Sequence, residues 1–463
     1  MPRRPFSSTI AATRAAITAL AALTTLATTP AAAIHLDLAQ AVETTLRVNP
    51  GLLSIEEIRS QVAGGIREAR ADAFPQLTFV SSWGQSRNPS FLNSPDFEEI
   101  LAQFPGGGFE PSTQELTRAL IEVKQPVWTF GKIRAAIDLA EIVGEAADAQ
   151  IRTARLDAAF ATAEAFYRVQ AAREGLATIE GEREFRSRDL ARIEDLLEIG
   201  EATELEQLRA LSALTAVAPE VARRQGQVTV AEMRLRQLLD LAPEEPLELE
   251  ISSAGLPEPP AIALLVAAAA ERPEIDDLAH QESAYALQQQ ITRADGLPRI
   301  DLSGSWGREV RLVENFNDPL YNSWSAALEL SWPFFDGGRR RGRIEQFESQ
   351  RRQIALRRAE LEATIRLETD QAWTNYATAL SRASSAETFA RAAQEAERVA
   401  RATYEEGVAN QTDLLDAQRS ATGARVSAIE ARYEALVEAS RLSRAVGLLP
   451  TAPWSTLAQK ELP

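Results

Sequence analysis

Asp413 and Asp416 stand three residues apart just after a turn, a spacing that on a helix puts both carboxylates on one face. Repeated around a symmetry axis, that face would form a carboxylate ring that attracts cations and repels anions. The pair also suits ordinary helix-start chemistry, with Thr412 as N-cap and an acidic side chain beside the positive end of the helix dipole. That accounts for Asp413 better than for Asp416. Earlier in the chain, Thr203-x-x-Glu206 has the spacing of a capping box. Other chemistry is thinly supplied. Imidazole is limited to His35 and His280, and without cysteine there is no thiol nucleophile, thiolate ligand, disulfide or lipid-bearing thiol. Pro105-Gly-Gly-Gly108 lacks the Lys and Ser/Thr that complete a phosphate loop. Neither histidine pairs with a spaced acidic cluster as a metal site or catalytic triad requires. The residues argue against an enzyme, a bound metal and a cofactor, and a net charge of −17 argues against a nucleic-acid partner.

The elements that position these residues occur twice. Asn49-Pro50 matches Arg272-Pro273 and Phe74-Pro75 matches Leu297-Pro298 at an offset of 223, whereas Gln125-Pro126 and Trp332-Pro333, Gly131 and Gly338, and Gly200 and Gly407 are each 207 apart. The offset changes once, between Pro75 and Pro126, where the first copy carries 16 more residues. Length changes concentrate in surface loops, so an exposed loop is expected there. In this reading, residues 1–33 are a secretory signal peptide with Arg3, Arg4 and Arg14 ahead of a mildly apolar stretch and cleavage after Ala33. Residues 34–242 form the first repeat, 243–260 a Pro- and Glu-rich linker, 261–450 the second repeat and 451–463 a tail.

Within each repeat the hydrophobic period changes. Trp324, Ala326, Leu328, Leu330 and Trp332 alternate with Ser325, Ala327, Glu329 and Ser331, which is strand periodicity. The same alternation predicts strands over about 76–84, 115–128, 299–307 and 322–333. It fits a half-buried sheet or a lipid-facing barrel wall. Trp83, Trp128, Trp306, Trp324 and Trp332 fall at or beside strand ends, as an aromatic girdle at a membrane interface would place them. Helical hairpins are predicted over 131–242 and 338–449. Their outgoing arms hold no proline for about 68 residues, roughly 100 Å of helix. Pro219 should kink the first returning arm. Four strands cannot close a barrel, so closure requires further subunits.

Asn49-Pro50, Ala69 to Leu77, Trp332-Pro-Phe-Phe-Asp-Gly-Gly-Arg-Arg340, Ile199-Gly-Glu-Ala-Thr203 and the segment Tyr404 to Ala417 together resemble the TolC-type outer membrane factors over nearly the whole mature chain. The resemblance implies a mostly α fold with a membrane β-barrel. A homotrimer would form 12 strands, four per chain, continued by a long periplasmic α-helical barrel. It also implies an outer-membrane location with a large periplasmic part, contact with outer-membrane lipid, and docking onto a periplasmic adaptor (membrane fusion) protein and an inner-membrane transporter. The duct would be the passive exit of a tripartite efflux pump or a type I secretion system. The competing reading is a periplasmic coiled-coil scaffold without a pore. The family pattern puts the selectivity ring on Asp413 and Asp416, gate residues on Tyr404 and Glu206, and adaptor contacts at the tip around Gly200, Thr203 and Gly407. Its gating arginine falls on Ala409 here, which implies a different or weaker latch. Arg339, Arg340 and Arg341 would meet inner-leaflet headgroups or simply form a solvated face.

Overall fold

A computed structural model describes residues 34–87, 113–250, 255–452 and 454. The signal-peptide region 1–33, the segment 88–112 with Pro105-Gly-Gly-Gly108, residues 251–254 of the linker and most of the tail lie outside the described residues. In chain order, β1 (Ile34–Leu36), α1 (Leu38–Val48), α2 (Pro50–Glu56) and α3 (Ile58–Ala71) precede strands β2 (Gln76–Ser86) and β3 (Gln114–Trp128). The long helix α4 (Lys132–Glu198) and its return α5 (Glu204–Leu239) follow. The second half repeats the order: β4 (Leu247–Leu249), α6 (Ile262–Ala269), α7 (Pro273–Ala294), β5 (Arg299–Val310), β6 (Asn322–Ser331), α8 (Arg339–Glu405) and α9 (Gln411–Ala445).

With no proline to remove a donor, α4 and α8 each run unbroken for 67 residues, about 100 Å. Pro219 lies inside α5 without ending it; the helix continues for 36 residues. Each long helix packs on its own return, and α9 packs on α4, so the second hairpin leans against the first. Above the returns, α3 covers α4, and α7 fills the space between α4 and α8. Alanines let the second hairpin close tightly: Ala379, Ala383, Ala431 and Ala435 form one buried layer and Ala390, Ala393, Ala421 and Ala424 another. Larger side chains gather at mid-height, where Phe166, Tyr167, Leu235, Leu239 and Tyr433 meet under the parallel pair β1 and β4.

The other four strands make one antiparallel sheet in the order β2-β3-β5-β6. β2 and β5 reach Ser86 and Val310, beyond the ends at 84 and 307 read from alternation. Pro126 cannot donate to the ladder, and the register with β5 shifts between Pro126 and Trp128.

The duplicated Asn49 and Arg272 show why the copies keep one shape with different chemistry. Asn49 caps α2 by accepting from the Leu52 amide (3.1 Å) while its Nδ2 donates to the Leu238 carbonyl in the last turn of α5 (3.0 Å). Arg272 reaches the equivalent carbonyl, that of Ala445 in α9, at 3.4 Å. Being charged and buried, it needs carboxylates as well: Glu274 and Glu368, each at 2.7 Å. Glu274 is shared with Arg444 at 2.8 Å, and Arg444 reaches Asp157 of α4. Burial alone would raise the Glu274 pKa, but hydrogen bonds from Arg272 and Arg444 outweigh it and hold the carboxyl at about 2, below its ordinary 4.5. Its stabilising contribution is therefore complete above pH 4.5 and is lost as the pH falls towards 2. Glu274→Gln should cost about 3 kcal/mol and blunt this acid dependence, whereas Asn49→Ala should cost about 1 kcal/mol. Urea midpoints from circular dichroism at neutral and acidic pH check both.

Candidate functional site

The two hairpin turns that carry the candidate residues are built alike. Gly200 and Gly407 take φ of 80° and 75°, a left-handed conformation that ends α4 and α8 without a Cβ penalty. The Leu196 carbonyl then accepts from the amides of Glu201 (2.8 Å) and Ala202 (3.2 Å), and the Thr403 carbonyl from Val408 (2.9 Å) and Ala409 (3.0 Å). The repeat offset of 207 thus persists to single hydrogen bonds.

The returning helices start differently. Thr203 caps α5, and Glu206 closes a capping box: its Oε2 accepts from the Thr203 amide at 2.7 Å and from the Thr203 hydroxyl at 2.9 Å. These bonds, the backbone one foremost, hold the Glu206 carboxyl below its ordinary range. In α9 the N-cap is Asn410, whose Oδ1 accepts from the Asp413 amide at 2.9 Å; Thr412, the N-cap read from sequence, is already inside the helix. Asn is at least as good a cap as Thr, and its position sets the helix start two residues earlier.

With Asn410 as the cap, the Asp413 carboxylate makes no hydrogen bond or ion pair among the described residues, while Asp416 pairs with Arg419 at 3.0 Å. Both aspartates are exposed on the face opposite buried Leu414 and Gln418. The repeat partners of the two aspartates, Glu206 and Arg209, offer no such pair of acids. Two contacts join the hairpins here. Buried Gln411 donates from Nε2 to the Glu206 carbonyl at 3.2 Å, and the Arg192 guanidinium lies 5.2 Å from the centre of the Tyr404 ring. Neither Gln411 nor Arg192 stood out in the sequence, since each acts across more than 200 residues of chain.

At the other end of the shaft, cross-strand register collects the tryptophans on one face. Phe79, Ile121, Trp306 and Trp324 are mutual neighbours across β2, β3, β5 and β6. Leu328 and Leu330 continue that face towards Trp332, and Trp128 lies in register with Ile300, next to Leu330. From Trp324 to Trp332 is about 26 Å along an extended strand, the scale of a bilayer's apolar layer. Trp83, four residues beyond Phe79 on the edge strand, extends the aromatic set outward, its indole donating to Glu115. The face is open to solvent: Trp324 is 75% exposed, Leu328 69% and Leu330 67%. The opposite face is polar, with Glu122, Lys124, Ser303, Ser305 and Glu329, and Arg118 pairs with Glu309 across β3 and β5 at 3.2 Å. Among the described residues no helix is long and apolar enough to cross a membrane, and no group of His, Cys, Asp and Glu could hold a metal ion.

An amphipathic sheet with an aromatic-bounded apolar face, carried on a 100 Å helical shaft, defines an outer-membrane channel subunit with a large periplasmic part. The chain belongs to the outer membrane efflux protein family, whose model matches residues 41–240 and 264–448. It is 26% identical to outer membrane protein OprJ of Pseudomonas aeruginosa over 407 residues, 86% of this chain and 80% of OprJ. It is also 27% identical to the alkaline protease secretion protein AprF of the same organism over 194 residues, 41% of this chain and 40% of AprF. The fold is shared with the CmeC outer membrane channel of Campylobacter jejuni (TM-score 0.76, 16% identity, 92% of this chain and 89% of that one). The MtrE outer membrane channel of Neisseria gonorrhoeae shares it too (TM-score 0.72, 17% identity, 89% of each).

The local roles are separable by measurement. Glu206→Ala removes the capping box and should raise amide exchange in the first turn of α5 about fivefold. Asp413→Ala should leave exchange in α9 within about twofold, because Asn410 holds that turn.

Proposed function

We propose that three copies of this chain close a 12-stranded barrel continued by a helical tunnel, and that this duct is the passive outer-membrane exit of a tripartite efflux pump or a type I secretion system. The observation that carries this reading is the sheet itself: an apolar outer face between two bare edges, β2 and β6. Directions alternate along the sheet, so β6 of one copy and β2 of the next run antiparallel, and any number of copies joins without a mismatched strand. Membership of the efflux family and the likeness to AprF, a secretion protein, support both export settings. An inner-membrane transporter supplies the energy, and a periplasmic adaptor contacts the tip around Gly200, Thr203 and Gly407, where the turns are exposed and conformationally fixed.

At the tip, Asp413 and Asp416 of each copy form a cation-attracting ring. The free Asp413 carboxylate supports this, because the helix start does not use it. Tyr404 serves as a gate residue, held by Arg192 through a cation–π contact worth about 1 kcal/mol at such a site. That contact takes the place of a latch at position 409, where this chain has alanine. Glu206 contributes to the gate by bracing its turn, not by a free charge.

Single-channel recording in a planar bilayer tests the reading. The detergent-solubilised trimer should conduct with cation preference, and Asp413→Ala with Asp416→Ala should abolish most of that preference without reducing trimer yield. Recovery of soluble periplasmic monomers, or a protein that never conducts, would leave the pore-free scaffold standing instead.

A further inference from the structure

Both the sheet and the helical wall end in unpartnered edges, and the internal repeat indicates what fits them. Inside the chain, α4 of the first repeat meets α7 of the second through three polar contacts, each with a carboxylate on one side. Lys132 pairs with Asp295 at 2.6 Å, Arg152 with Asp276 at 3.1 Å, and Glu145 with His280 at 3.2 Å. These elements have close counterparts. Lys132 and Arg339 are the first residues of 67-residue helices, and Asp295 and Asp72 are the C-caps of α7 and α3.

Carrying the contacts forward by the offsets of 207 and 223 gives three pairs between the end of one copy and the start of another. Lys132–Asp295 becomes Arg339–Asp72, and Glu145–His280 becomes Arg352–Glu57, complementary again with the sides exchanged. Arg152–Asp276 becomes Ala359–Leu53, two apolar side chains. No like charges meet. Within the chain Arg339, Asp72, Arg352 and Glu57 are all exposed, and their side chains make no hydrogen bond or ion pair among the described residues. Arginine at Arg339, in the first turn of a helix with no acidic residue there, also opposes the helix dipole, so it is not placed for the stability of α8.

The apolar surface follows the same rule. Ala149, Val437 and Ser440 are buried at 0%, 2% and 4% within the chain. Their repeat partners Leu356, Val230 and Met233 are 71%, 63% and 55% exposed.

We infer that the junction between the repeats is the template for the junction between copies: α8 receives α3 and α5 of a second copy of this chain, locked in register by Arg339–Asp72 and Arg352–Glu57. The barrel seam follows the same transfer, so that Val123 opposite Gly304 becomes Leu330 of β6 opposite Ser81 of the next copy's β2. This rests on the closed-ring reading above.

The chain has no cysteine, which makes cross-linking clean. In outer membranes holding the full-length protein with Ser81→Cys and Leu330→Cys, mild oxidation should give covalent dimers and trimers on a non-reducing gel. Ser81→Cys with Leu328→Cys, two residues out of register, should give at least about tenfold less. Equal or stronger cross-linking of the shifted pair, or none from either pair in rings that still conduct, overturns the inference. The ion pair is tested separately: Arg339→Asp should lower retention of the detergent-solubilised ring about fivefold per seam. Asp72→Arg in the same protein should restore it, and failure to restore overturns the pairing. A wild-type protein that forms no ring defeats the duct reading instead, so the two failures are distinguishable.

Discussion

A strand edge in hydrocarbon leaves its amides and carbonyls without partners, at several kcal/mol for each group. Much else in this chain can be derived from that constraint. Four strands present two bare edges, and no charge or proline blunts the outward-facing row from Trp324 to Leu330. The chain therefore cannot complete its membrane part alone. The helical shaft inherits the same incompleteness, because α4 and α8 continue directly from β3 and β6 and so keep the spacing the sheet imposes. A wall that begins as four strands continues as helices, with α7 packed between the two long ones.

Duplication satisfies this geometry twice while leaving the chemistry free. The polar group that ties each entry segment to the end of its returning helix is an amide in Asn49 and a guanidinium in Arg272, both donating to equivalent carbonyls. The amide is neutral and needs little else. The guanidinium is buried and draws in Glu274, Glu368 and, through Glu274, Arg444. One substitution in the second copy thus obliges several more around it. Arg444 in turn ties α9 to Asp157 of α4, so the network that satisfies a buried charge also fastens one repeat to the other.

How far the sequence discloses the fold depends on the range of the interaction. Alternation from Trp324 to Trp332, proline-free helices and glycines at 200 and 407 are local signals, and the elements they indicate are present with ends displaced by a few residues. Pro219 lies on the exposed side of α5, and the helix runs on across it. The cap of α9 was legible in principle: Asn410 and Thr412 are both capable, and only the first places its side chain on the amide three residues on. The Arg272 network, the Gln411 bond to the Glu206 carbonyl and Arg192 over Tyr404 were not legible. Each joins residues distant in sequence, and neither composition nor period encodes which helices become neighbours.

The tip shows how a symmetric scaffold can carry an asymmetric site. A helix start needs an acceptor for its first free amides, and several residue types provide one. The first repeat uses Thr203 and commits Glu206 to the reciprocal bond, so the acid at that position is held by its own turn. The second repeat uses Asn410 alone, and the acid at the matching position, Asp413, is left free beside Asp416. The two caps are nearly equivalent for the stability of their helices, so exchanging one for the other hardly disturbs the wall. It does decide which repeat leaves an acid at its turn free of the helix start. With Arg209 where the second repeat has Asp416, and Glu206 held in its own capping box, the free acid pair belongs to the second hairpin alone, although both turns share one backbone geometry.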